Sequence, residues 1–327
     1  MRRVEGCEVE THAVPAYKSL RPLRSVFPSI RLWLSGRLAG DYRYVFIPRY
    51  DVDWYGATFL ASLLSRGEAI GYSETVTARK REYNHGFDAL LTRAVAECPY
   101  VHEALRNLHL LDATGIAAPE QWKIEGTLTR ASARELAPEI AGQLAATGPY
   151  IVIAPGAAEA KRQWPAGNYA VIARRAQSEY GLRTVIVGSA GDREAGLKIA
   201  AEVPGSLDLT GRTSVGGTLE IMEGAELFIG NDSGPGHLSA AAGTPAIILS
   251  VYAPSTPPNP DDPHSPDRFR PWGVTHRVLT PERPVEPCVA SCCADEPHCI
   301  ATIPLEAVAG AFSELWNTRA GDCATEI

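Results

Sequence analysis

No stretch of the 327-residue chain approaches the roughly 18 uninterrupted apolar residues of a membrane-spanning helix, and the opening MRRVEGCEVE lacks the apolar core of a signal peptide. A cytoplasmic, globular chain is the expectation. A basic field is missing too: 31 Lys and Arg stand against 38 Asp and Glu, a formal net charge of -7. General nucleic-acid binders present a positive surface to phosphate, so no nucleic-acid partner is expected. Seven cysteines, four of them crowded between Cys288 and Cys299, do not form an evenly spaced disulfide framework. What is present is 45% hydrophobic and 21% charged residues, enough at this length for two domains with their own cores.

The second half is regular. Apolar strands at 150–154, 183–188, 206–211, 226–230 and 244–251 alternate with helical stretches near 167–180, 191–202, 215–224 and 235–242. That alternation means a parallel sheet covered on both faces, whose ligands bind beyond the carboxyl ends of the strands. Three informative loops fall on that edge. After the first strand, PGAAEAKRQWP offers Gly156, Ala157, Lys161 and Arg162; after the second, GSAGDRE offers Asp192 and Glu194; after the fourth, NDSGPGH offers Asp232, Ser233, Gly234 and His237. The last loop leads directly into an Ala-rich helix, whose opening N–H groups and dipole attract anions. Cations and amides suit a diphosphate, and a carboxylate suits ribose hydroxyls. The three loops together describe a nucleotide-diphosphate site, although an isolated D-S-G would be read as a plain helix cap.

The first half is less regular. A strand at 8–14 precedes a helix-like stretch at 17–38 that mixes Lys18, Arg21, Arg24, Arg31 and Arg37 with apolar residues and is interrupted by Pro28. Such a stretch packs as a surface helix or touches an anionic membrane surface or lipid-linked substrate. A strand at 44–48 leads into a helix ending near Ser65; a strand at 69–72, a helix at 87–97 and a helix spaced by Val101, Leu105, Leu108 and Leu111 follow. Asp51 and Asp53 imitate a metal-holding D-x-D pair, but carboxylates at a helix start are also what the dipole favours, and no metal is assigned to them. Residues 125–148 read as a helical connection between domains. The loop 252–273 is rich in proline and aspartate, and either closes over a ligand or links the sheet to a terminal helix at 304–316.

The ordered set PGAAEAKRQWP, VIVGSAGDRE, LTGRTS and GNDSGPGHLSAAAGTPAI resembles the carboxyl-terminal domain of glycosyltransferase family 9, the heptosyltransferases of lipopolysaccharide synthesis. RYDVDWYGATF, IGYSE and VHEALRNL are similar to segments of one branch, so the resemblance covers nearly the whole chain. It implies an α/β chain of GT-B architecture, two Rossmann-like domains facing across a cleft, at 1–145 on the acceptor side and 146–327 on the donor side. It also implies metal-independent, cofactor-free inverting transfer of a heptose or related sugar from a nucleotide-diphosphate donor, ADP-heptose, to a lipopolysaccharide-core or other lipid-linked glycan acceptor; peripheral contact with the inner membrane is the option that the basic stretch 17–38 adds. Carried over by position, Arg162 or Lys161 meets the donor phosphate, Asp192 falls near the ribose acid, and Asp232 to Gly234 with His237 form the diphosphate loop. Two departures stand out: arginine occupies the position of the usual lysine before x-W-P, and the family's opening strand with its glycine-aspartate loop has no counterpart between Met1 and Val14. The expectation is therefore an incomplete first domain without the usual base, with Asp51 and Asp53 as substitute catalytic candidates. A catalytically impaired nucleotide-sugar-binding relative and a sugar-nucleotide epimerase are the alternatives. Cys288, Cys292, Cys293 and Cys299, with His298, read as a reduced, partly buried cluster rather than a zinc site, because structural zinc favours two close C-x₂₋₄-C pairs.

Overall fold

The structure, a computed structural model, describes residues 2–4, 7–9, 42–53, 56–84, 86–115, 136–253, 265–288 and 294–322. The basic stretch 17–38, most of the expected strand at 8–14, the first part of the connection at 125–148, residues 254–264 of the long loop, and Cys292 and Cys293 lie outside these residues. Among the described residues no helix is long and apolar enough to cross a membrane. The chain divides into two compact units, Met1–Gln121 with Pro260–Phe269, and Trp122–Asn259 with Arg270–Ile327.

The first unit opens with a small antiparallel pair, β1 (Arg2–Val4) and β2 (Cys7–Val9). Then come β3 (Tyr42–Ile47), α1 (Ala57–Leu64), β4 (Ser65–Tyr72), α2 (Ala78–Asn84), β5 (Arg93–Val95) and α3 (Glu103–Asp112). The last three strands make a parallel sheet in the order β3-β4-β5. The expected helix at 87–97 is instead a 3-10 turn, Phe87–Leu90, followed by β5. The helix fails because Gly86 enters the turn at φ 78, and because the Asp88 carboxylate is drawn off to accept from Glu74 N (2.6 Å) and Asn84 Nδ2 (3.0 Å). A short helix, α9 (Pro266–Phe269), returns to this unit from the far end of the chain.

The second unit contains α4 (Pro138–Thr147), β6 (Tyr150–Ala154), α5 (Ala166–Tyr180), β7 (Arg183–Ile186), α6 (Arg193–Glu202), β8 (Leu207–Asp208), α7 (Val215–Glu223), β9 (Leu227–Asn231), α8 (Gly234–Ala242), β10 (Ala246–Leu249), β11 (His276–Leu279) and α10 (Leu305–Asp322). Its six strands run parallel in the order β11-β10-β9-β6-β7-β8. All five residues of β6 are buried because both faces are covered, and they divide by the two-residue period of a strand. Ile151 and Ile153 pack with Tyr169, Ala173, Ile199 and Phe312 of α5, α6 and α10. Tyr150, Val152 and Ala154 pack on the opposite face with Ile140, Ile221 and Met222 of α4 and α7. Each fully buried isoleucine contributes about 1.5–3 kcal/mol, which makes these two layers the main support of the sheet. The expected strand at 206–211 shortens to β8, since the Asp208 carboxylate turns the chain by accepting from Thr210 N (3.0 Å) and Oγ1 (2.7 Å). Strand β11 escapes sequence reading because all four of its residues are only half-buried at the sheet edge.

Candidate functional site

A cavity of about 610 Å³ opens at the carboxyl edge of the second unit's sheet. Its walls come from the ends of β6, β7 and β9 and from the turn into α7, including Gly156, Ala157, Asp192, Ser214, Ser233 and Gly234. The central strands β6 and β9 are neighbours, so the loops that follow them lie side by side. Asn231, at the end of β9 and fully buried, ties them together. Its Oδ1 accepts from Trp164 N (2.9 Å) and from the Tyr169 hydroxyl (2.9 Å), while its Nδ2 donates to Pro155 O (2.7 Å) and Gly156 O (3.3 Å). This buried amide is the central tie between the 155–162 loop and the 231–237 loop. Burial raises the Tyr169 hydroxyl pKa, so it stays a neutral donor to Asn231.

Two glycines shape the cavity for different reasons. A Cβ on Gly156 would stand 2.1 Å from Asp192 Oδ1, so this glycine lets the carboxylate press against the loop backbone. Among the described residues, a Cβ on Gly234 would meet nothing within 4 Å beyond its own helix backbone and chain neighbours. The space beside Gly234 leaves the backbone open to close approach. Gly234 begins α8, whose N-cap residue Ser233 makes no side-chain capping bond and whose first turn contains Pro235. By contrast α7, on the other side of the cavity, is capped by Ser214 Oγ accepting from Gly217 N (3.0 Å). The uncapped end is the anion-seeking one.

The remaining residues singled out from the sequence take different positions. Arg162 Nη2 donates to Asp232 O (2.6 Å) and lies 3.2 Å from Asp232 Oδ2, linking the two loops beside the cavity. Lys161 pairs with Glu159 at 2.8 Å. Asp192 lines the cavity, and its Oδ2 accepts from Ser189 N (2.7 Å) and Ser189 Oγ (2.8 Å) in a capping box. Glu194 and His237 are exposed on the first turns of α6 and α8 and stand outside the cavity lining. Thr213, Ser214, Val215 and Thr218 do line it, a contribution that the loop-by-loop reading missed. The signal was Ser214 immediately before the α7 pattern, a helix start on the same sheet edge.

In the first unit, Asp51 and Asp53 follow β3 at the carboxyl edge of its sheet and do different work. Asp53 is buried and caps α1, its two oxygens accepting from Ala57 N (3.0 Å) and Thr58 N (2.7 Å). Asp51 is about a third exposed and pairs through Oδ2 with Arg268 Nη2 at 2.7 Å. Arg268 is buried and also reaches Glu103 Oε1, which Arg106 Nη1 meets at 2.8 Å. Arg106 in turn lies 3.5 Å over the Tyr50 ring. Lys80 is 4% exposed, and its Nζ donates to Arg49 O (2.8 Å) and Tyr72 O (2.7 Å). Desolvation lowers its pKa from 10.5 to about 8, against the opposing pull of Asp88, Asp53, Asp51 and Glu74.

A family model described as glycosyltransferase family 9 (heptosyltransferase) matches residues 57–298. Lipopolysaccharide heptosyltransferase 2 of Salmonella typhimurium is 35% identical over 121 residues, 35% of this chain and 34% of that protein. The aligned part therefore spans about a third of that relative's length. Among solved structures, the ADP-heptose lps heptosyltransferase II of E. coli is 20% identical with a TM-score of 0.58, covering 90% of this chain and 81% of that one. The E. coli heptosyltransferase WaaC with ADP is 18% identical with a TM-score of 0.61, covering 88% and 77%. At these identities the likeness is one of fold, the GT-B architecture.

Proposed function

The chain belongs to glycosyltransferase family 9, and on that premise we propose that it transfers a heptose from ADP-heptose, with inversion, to a hydroxyl of a lipopolysaccharide-core acceptor. The observation that carries this reading is the cavity at the carboxyl edge of β6, β7 and β9, walled by the uncapped N-terminus of α8 and by an unoccluded Gly234. Displacement at an anomeric carbon breaks the bond to the donor diphosphate as the acceptor oxygen bonds to carbon, so negative charge grows on the departing phosphate. Amide groups at the start of α8, with Gly156 and Ala157 of the facing loop, receive that charge. Arg162 and Lys161 supply the positive field, the former beside Asp232 and the latter half-buried beside Glu159. Asp192, which lines the cavity, serves the ribose side, and Ser233 and His237 the outer face of the diphosphate loop.

The acceptor proton needs a base. Of the two first-unit aspartates, Asp51 is the candidate and Asp53 is not, since both oxygens of Asp53 already accept backbone hydrogen bonds at the α1 start. Relatives named for lipopolysaccharide heptosyl transfer and a solved relative holding ADP support the choice of donor and acceptor class. The test is donor turnover with and without acceptor. ADP release from ADP-heptose that depends on added heptose-deficient lipopolysaccharide core is the expected result. Equal donor consumption in its absence would contradict transfer and favour an epimerase-like or hydrolytic reaction.

A further inference from the structure

Away from the cavity, the segment between β11 and α10 gathers Cys288, His298 and Cys299, with one ligand atom of each within 4.8 Å of the others. Both cysteines are buried, and His298 is half-buried. Cys299 Sγ lies 3.5 Å from His298 Nδ1 and accepts a hydrogen bond from Val285 N at 3.4 Å. We propose that these three residues hold a zinc-class divalent cation that staples this segment, a role independent of glycosyl transfer.

Geometry and chemistry both favour the ion. Tetrahedral bonds of about 2.3 Å to sulfur and about 2.0 Å to nitrogen put sulfur and nitrogen roughly 3.5 Å apart. That is the Cys299–His298 separation. The widest separation, up to 4.8 Å, exceeds the tetrahedral value by about 1 Å, which side-chain rotation on binding closes. Two thiolates and an imidazole select a borderline-soft ion over magnesium or calcium. The Val285 N–H on sulfur is the kind of outer contact that steadies a metal thiolate. The close C-x₂₋₄-C pairing that favours zinc in a sequence is absent from the triad, yet its three ligand atoms lie together in space. Cys292 and Cys293 belong to the same stretch of sequence and lie outside the described residues; the proposal rests on the other three.

The placement gives the staple a purpose. Cys299 starts a 3-10 turn, Cys299–Thr302, and the adjacent Ile300 and Ile303 are buried in the same core as Trp164. Ile303 O accepts from Trp164 Nε1 at 3.3 Å, while Trp164 N donates to Asn231. An ion at Cys288, His298 and Cys299 therefore braces the segment on which Trp164 rests.

The experiment is titration of chelator-treated chain with Co²⁺ alone, followed by absorption spectroscopy. One equivalent should bind with near-ultraviolet thiolate-to-cobalt charge transfer and tetrahedral visible bands, both removed by Zn²⁺. Cys98→Ser, in the first unit, should leave the spectrum unchanged. Cys288→Ser or Cys299→Ser should each cut the charge-transfer intensity by about half, and His298→Ala should weaken Co²⁺ binding at least tenfold. Failure of the wild-type chain to take up Co²⁺, uptake without charge transfer, or a spectrum surviving the Cys288→Ser, Cys299→Ser double substitution overturns the proposal. The wild-type arms decide even where a variant does not fold.

Discussion

The two units share a parallel-strand plan and differ in what fills them. Behind the cavity of the second unit, β6, β9 and β10 bury every residue, and the polar group that matters there is an uncharged amide, Asn231. The first unit buries Lys80, Arg106, Arg268 and Asp53 beside a small apolar cluster of Tyr50, Ile70, Tyr72 and Leu110. One unit is held by apolar area; the other is held by ionic and backbone hydrogen bonds at its sheet edge. Burial of paired charge adds less to stability than an apolar core of the same size, yet loss of one partner is costly. The contrast predicts that the second unit responds to changes in shape and the first to changes in protonation.

The largest expected effect is on the amide tie. Asn231→Leu strands Trp164 N, the Tyr169 hydroxyl and Pro155 O in a buried site, and at about 1–3 kcal/mol for each orphaned group the second unit should lose about 3–9 kcal/mol. Chemical denaturation reads this. A loss under about 1 kcal/mol would mean that the two loops are held by something other than Asn231.

The second effect belongs to the first unit. The folded pKa of Lys80, about 8, lies below its unfolded value of 10.5, so between these values the unfolded chain binds more protons and stability rises with pH. Below about pH 8 the whole net penalty, desolvation less the pull of the carboxylates, is present, on the order of 3 kcal/mol. Lys80→Met should flatten the difference in melting temperature between pH 7.5 and 10 relative to wild type. Identical slopes in the two proteins would remove Lys80 as a buried titrating group.

The same contrast explains how far the sequence could be read. Near-continuous apolar runs such as YIVIA announce a doubly covered strand, and a polar loop must follow each one, so the second unit's plan and its loops at 156–162, 189–194 and 231–237 follow from local pattern. Strand β11 did not, because HRVL carries no such run, and neither did the wall from Thr213 to Thr218, whose meaning depends on which strands become neighbours. In the first unit, local pattern misled at 87–97, where a carboxylate bond to a distant loop outweighs helical spacing. Arg268 illustrates the limit: nothing near it in sequence reveals that it enters the first unit to meet Asp51 and Glu103. The D-x-D pair likewise separates only in three dimensions, into a helix cap and an arginine partner.

The central claim is that the opening beside Gly234 is a nucleotide-diphosphate seat, and titration calorimetry of ADP against wild type and Gly234→Ala tests it most directly. Among the described residues an added methyl group meets nothing within 4 Å beyond its own helix backbone and chain neighbours, so folding stability should stay within about 0.5 kcal/mol of wild type. ADP affinity should nonetheless fall by about tenfold or more, equivalent to about 1.4 kcal/mol, because the methyl occupies the space where phosphate approaches the α8 amides. Unchanged ADP affinity in a variant of unchanged stability would contradict the account and move the nucleotide away from the start of α8.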